Sequence, residues 1–154
     1  MFLVLAFLFA LPTWAADSLK DIPRIDVHAH CGSPGQMRRY VQVSRELREK
    51  YGEQLVAWVD LDFMRIKEGS ADEYLEAAAN VFEGRFLPCL HDLMKDGLDY
   101  GPDDVVHWKK RGVVGVKIWV GLSDAIDRPE HDAFFSKMAE VGLPGASIHI
   151  AQPY

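Results

Sequence analysis

The segment Ile25-Asp26-Val27-His28-Ala29-His30 holds the residue types and spacing best suited to chemistry in this chain. Alternate residues of a strand share a face, so Asp26, His28 and His30 are expected to point one way and Ile25, Val27 and Ala29 the other. Two imidazoles two residues apart at the C-terminal end of a strand can reach one divalent metal ion, with zinc the first candidate. A bare His-x-His arises often by chance, so its weight depends on the elements around it. Ser147-Ile148-His149-Ile150-Ala151 offers a third imidazole, with Ser147, His149 and Ala151 on one face. A single strand histidine is more often a hydrogen-bonded core residue, and His149 gains weight as a ligand only beside His28 and His30. Between them, Gly112-Val113-Val114-Gly115-Val116-Lys117-Ile118-Trp119 sets Gly115, Lys117 and Trp119 on an inward face. A lysine there is costly to bury unless it meets an anion, a substrate group or a metal-bound species. The bland alternative leaves Lys117 hydrated at the rim.

Other polar residues carry less information. His91, followed by Asp92, ends a third apolar run and is a candidate substrate contact, with a plain loop role as the alternative. Arg38 and Arg39 follow the histidine strand, where a substrate carboxylate could bind, or they simply open an exposed helix. Trp119 is a further candidate substrate contact. His107 and His131 fall in or beside helical stretches and read as surface residues. The two cysteines, Cys31 and Cys89, lie in or beside strands, where packing is the commoner role, and do not make a disulfide framework.

The elements that must position these side chains repeat regularly. Apolar, β-rich runs occur at Ile25–His30, Leu55–Asp60, Phe86–Leu90, Val113–Val120 and Ala146–Ala151. They start roughly 30 residues apart, the length of one strand-plus-helix unit of a parallel α/β fold. Helical patterns fill the gaps at Arg38–Tyr51, Ala71–Glu83, Pro102–Arg111 and Pro129–Val141. Ser70 with Glu73 has the spacing of a capping box, and Gly142 is placed to end the last helix. A doubly wound sheet would carry a glycine-rich phosphate loop after its first strand. Here that strand ends in His-Ala-His-Cys-Gly, which favours a barrel.

Composition sets the outer bounds. The chain has 154 residues, 49% of them hydrophobic, with a net charge of -6 and no basic run, which argues against nucleic acid as a partner. Phe2 to Leu11 is uninterrupted apolar sequence, too short for a bilayer span of ~20 residues. It matches the core of a secretory signal over residues 1–15, with small residues around a cleavage point after Ala15, although a positively charged start is missing. The expectation is a secreted or periplasmic protein, with residues 16–154 forming the folded domain.

Taken in order, Asp-Val-His-Ala-His, then Gly-Val-Val-Gly-Val-Lys-Ile-Trp, then Gly-Leu-Pro-Gly-Ala-Ser-Ile-His-Ile-Ala-Gln-Pro resemble the amidohydrolase-related family of metal-dependent hydrolases. The likeness runs from about Ile22 to Tyr154. It implies a partial TIM (β/α)8 barrel comprising about the first five βα units, since a closed barrel needs ~250 residues. His28 and His30 match the first-strand ligands and His149 the fifth-strand ligand. Lys117 matches a fourth-strand position that is carbamylated and bridges two metals in some members. The family's sixth-strand histidine and eighth-strand proton-shuttling aspartate have no counterpart here. The implied activity is attack of metal-activated water on an ester, lactone or amide carbon of a small-molecule substrate. Two alternatives stand beside it: decarboxylation at the same site, and a non-catalytic half-barrel binding protein. Five parallel strands leave two open edges, which calls for a second copy or a missing C-terminal half.

Overall fold

The computed structural model describes residues 21–61, 71–94, 97–120 and 125–150. The expected signal segment, the Ser70 cap and Ala151 fall outside them. Each apolar run becomes a strand: β1 (Arg24–Ala29), β2 (Leu55–Asp60), β3 (Phe86–Asp92), β4 (Gly115–Val120) and β5 (Ala146–Ile150). They pair in sequence order, every pair parallel, in one curled sheet consistent with part of a barrel. Parallel neighbours need a crossover, and the helices α1 (Pro34–Tyr51), α2 (Ala71–Glu76), α3 (Pro102–Lys110) and α4 (Asp132–Glu140) supply it. No helix among the described residues is long and apolar enough to cross a membrane.

The helix ends follow local chemistry. Ser33 caps α1, its hydroxyl accepting from the Gln36 N–H at 3.2 Å, and Pro34 occupies the first turn where no N–H is needed. Gly52 closes α1 at φ 73°, a left-handed conformation that costs glycine little, and its N–H donates to the Arg48 carbonyl at 2.9 Å. At α3, the Asp104 carboxylate accepts from the Gly101 N–H at 2.8 Å. The helix expected over Ala71–Glu83 is α-helical only to Glu76 and widens into a π turn over Ala77–Val81. A 3-10 turn, Pro129–His131, leads into α4.

The core lies between the convex side of the sheet and the helices. Trp58, Phe86, Leu90, Val116 and Ile118 face Met37, Tyr74, Val105, Phe134 and Met138. Trp58 and Phe86, on adjacent strands, stack at 4.8 Å and 15°, and Tyr40 of α1 meets Trp58 edge-on at 6.0 Å. Such contacts add about 0.5–1.5 kcal/mol each beyond area burial. The opposite, concave side of the sheet has no helix. There Val27, Val59, Leu61, Leu87, Cys89 and Ser147 line an open apolar cavity of about 420 Å³.

One expectation about β1 fails in an informative way. Asp26 pairs with Trp58 but Ala29 with Asp60, so three steps along β1 match two along β2. This is a bulge, and it reverses the facing of the residues after it. Val27 lines the concave cavity at 69% exposure, whereas Ala29, of the same parity, is 1% exposed in the core. Ile25, Val27 and Ala29 therefore do not share one face. His28 and His30, flanking Ala29, are both exposed and turned away from the helix layer.

Candidate functional site

Beyond the bulge, β1 must satisfy its backbone by means other than a regular ladder, and side chains do it. The His28 N–H donates to Asp26 Oδ1 at 2.9 Å, the His30 N–H to Tyr40 Oη at 3.1 Å, and the Cys31 N–H to Asp60 Oδ1 at 2.9 Å. Tyr40 also donates to the His30 carbonyl at 3.4 Å. The histidine segment is thus held by β1 itself, by α1 and by β2. Its two imidazoles lie edge to face with ring centroids 5.0 Å apart. Two nitrogen ligands of one tetrahedral ion sit about 3–4 Å from each other, given metal–nitrogen bonds of about 2.0–2.1 Å. Small side-chain rotations take the pair to that spacing.

Asp60 anchors this arrangement from below. It is fully buried, as is Tyr74 of α2, whose hydroxyl donates to its carboxylate. Burial, and then the adjacent Asp60 charge, holds the Tyr74 phenol far above its ordinary value, so the proton stays on the phenol. Asp60 and Tyr40 are positioning residues that sequence reasoning missed. An aspartate at a strand end and a tyrosine in a helical pattern carry no spacing signal of their own. The single available hint was Asp60 as a buried-strand terminus, where an acid is unusual.

A second polar group lies on the concave face. His91, Lys117 and Ser147 are register partners across β3, β4 and β5, about 5 Å apart from strand to strand. Lys117 is 6% exposed and His91 9% exposed, so Lys117 is not a hydrated rim residue and His91 belongs to β3 rather than to a loop. Among the described residues no carboxylate forms an ion pair with Lys117. One row nearer the mouth, Trp119 pairs with His149, ring centroids 5.3 Å apart, and both are exposed. Gly115 sits below Lys117 because a Cβ there would come within 3.1 Å of the Gly145 carbonyl and 3.2 Å of Cys89 Sγ.

The structure does not gather all the expected ligands. β1 and β5 are opposite edges of the sheet, four strand spacings of about 4.8 Å apart along its curve. Among the described residues no three His, Cys, Asp or Glu side chains come close enough to hold one ion. One chain therefore offers two positions of a coordination sphere, His28 and His30, and His149 packs on Trp119 instead. Arg38 and Arg39 lie exposed on α1.

The other titratable groups serve the fold. Asp92 is fully buried at the end of β3, where burial raises its carboxyl above the usual range. It accepts from the N–H groups of Met94, Asp99 and Tyr100, so it shapes the loop into α3. Cys31 and Cys89 are free and buried, in line with packing roles. Burial, followed by the Asp60 charge, pushes the Cys89 thiol up to about 12. His107 is exposed as expected. His131 is not: it is buried, with Nδ1 3.1 Å from the Ile126 carbonyl, because the turn before α4 folds its ring inward. The chain matches no family model, no curated protein and no solved structure.

Proposed function

We propose that this chain is the first part of a secreted, metal-dependent hydrolase barrel of the amidohydrolase-related type, with His28 and His30 as metal ligands. The observation that carries the reading is the imidazole pair, 5.0 Å apart at the C-terminal end of the first strand of a parallel sheet. Active sites of parallel α/β barrels lie at that end of the strands. Three side chains from separate places fix the backbone of the pair, which is the kind of support that ligand geometry requires.

A bound divalent ion supplies a water activated near neutral pH and polarises a carbonyl oxygen. The chain's own residues do the remaining work. Asp26, Tyr40 and Asp60 hold the two imidazoles in place. Lys117 and His91 offer a cation and an N–H donor on the concave face, and the apolar cavity beside them accepts the body of a small substrate. Zinc suits the imidazole donors.

The test is a panel of aryl esters, lactones and amides, each assayed with zinc, manganese or chelator. Hydrolysis that needs metal and drops at least ~100-fold on His28→Ala with His30→Ala supports the reading, since loss of metal ligands removes the activated water. Carbon dioxide release from carboxylates with no ester or lactone cleavage would assign decarboxylation instead. Turnover unaffected by chelator would refute metal dependence.

A further inference from the structure

The His28–His30 pair and His149 lie on opposite edges of one sheet, and both edges are open among the described residues. We propose that two copies of this chain close into one parallel barrel, β5 of each pairing with β1 of the other, and that each seam builds a three-imidazole metal site. The metal assignment of the histidines rests on the hydrolase reading; the pairing of the copies does not.

The topology selects a second copy as the occupant. All strands run the same way, so a two-fold axis along the strands preserves their direction and offers β5 to β1 and β1 to β5 at once. Pairing β1 with β1, or β5 with β5, would be antiparallel, would leave the other edge open, and would not cover the concave cavity. The seams also fit electrostatically. β5 runs Ala146–Ile150 without a charge or a proline, the features that usually guard an exposed edge. The charges of β1 are already engaged: Arg24 pairs with Glu53, and Asp26 accepts from the His28 N–H. No like charges would meet.

The exposed apolar residues fall where closure would cover them. Ile25 and Val27 on β1 are 52% and 69% exposed, and Ile148 on β5 is 45% exposed. Val27 also lines the open cavity that a facing half-barrel would enclose.

Closure solves the ligand shortfall as well. His149 shares the concave side with Ser147, two positions earlier, and stands near the C-terminal end of β5. His28 and His30 stand at the C-terminal end of β1, turned away from the helix layer. Adjacent strands lie about 4.8 Å apart, so His149 of one copy would sit beside His28 and His30 of the other. Two such sites form per dimer.

The experiment is mass measurement with zinc titration of the intact chain and two variants, followed by mixing. Wild type should sediment at twice the chain mass and bind one zinc per chain. His28→Ala/His30→Ala and His149→Ala should each lose tight zinc binding. Unfolded and refolded together, they should regain half the wild-type zinc, because only one seam of each mixed dimer carries all three imidazoles. A monomeric wild type overturns the proposal, and so does a mixture that regains nothing while wild type binds zinc. A wild-type dimer that binds no zinc leaves the pairing standing and sinks the metal reading. Should the histidine variants fold poorly by circular dichroism, Val27→Lys decides: it keeps every histidine but places a charge in the seam. It should yield monomers with at least tenfold weaker zinc binding; a zinc-loaded dimer would refute the proposal.

Discussion

Tyr74→Phe removes one oxygen from a fully buried side chain and leaves its ring in place. The lost interaction is a hydrogen bond to a buried carboxylate, worth about 1.5–3 kcal/mol. Little cavity forms, so the packing cost is small and the bond dominates. For a chain of this size, each kcal/mol lowers Tm by about 2–4 °C, which gives a drop of about 3–12 °C. The pH dependence adds a second, independent signature. Folding holds the phenol above its ordinary value of 10.0, so the unfolded chain releases this proton first as pH rises. The stabilisation is fully present below about pH 10 and is lost as pH rises further, so the gap between wild type and Tyr74→Phe should be flat from pH 6 to 9 and narrow above 10. Urea denaturation across that range measures both. Because Asp60 also holds the Cys31 N–H, Asp60→Asn should increase hydrogen exchange at Cys31, and the double variant should show a coupling of about 0.5–3 kcal/mol. A Tyr74→Phe change under about 0.5 kcal/mol, or additive variants, would refute the claim that this node anchors the histidine segment.

Further outcomes follow from other side chains. Native Cys89, with its thiol near 12, should react with iodoacetamide at pH 8 at least ~1,000-fold more slowly than in urea, since the thiolate is the nucleophile; comparable rates, followed by mass spectrometry, would contradict its burial. Ser33→Ala should cost about 1 kcal/mol through loss of the α1 cap, measured by thermal denaturation, and Ser33→Asp should restore most of it.

Much of the architecture was legible because burial on a parallel sheet leaves a readable trace. Five apolar runs at unit spacing became five strands in sequence order, and Pro34, Pro102, Gly52 and Gly142 sit at the helix ends. The bulge in β1 was not legible, because period-two reading assumes an unbroken ladder and a bulge is a property of two strands. Nor was the inward fold of His131, whose partner is a backbone carbonyl without sequence identity. The candidate site divides the same way. His28 and His30 announce themselves by spacing, whereas Asp60, Tyr40 and the burial of Lys117 and His91 depend on neighbours distant in sequence. The separation of His149 from the pair is likewise set by strand order, which spacing alone does not contain.

The most direct measurement is X-ray absorption at the metal edge on zinc-loaded protein, which counts the imidazoles bound to the ion. The account predicts at least two, both lost in His28→Ala/His30→Ala, with metal–nitrogen distances of about 2.0–2.1 Å. A zinc sphere built without imidazole, or one unchanged in that double variant, would contradict it.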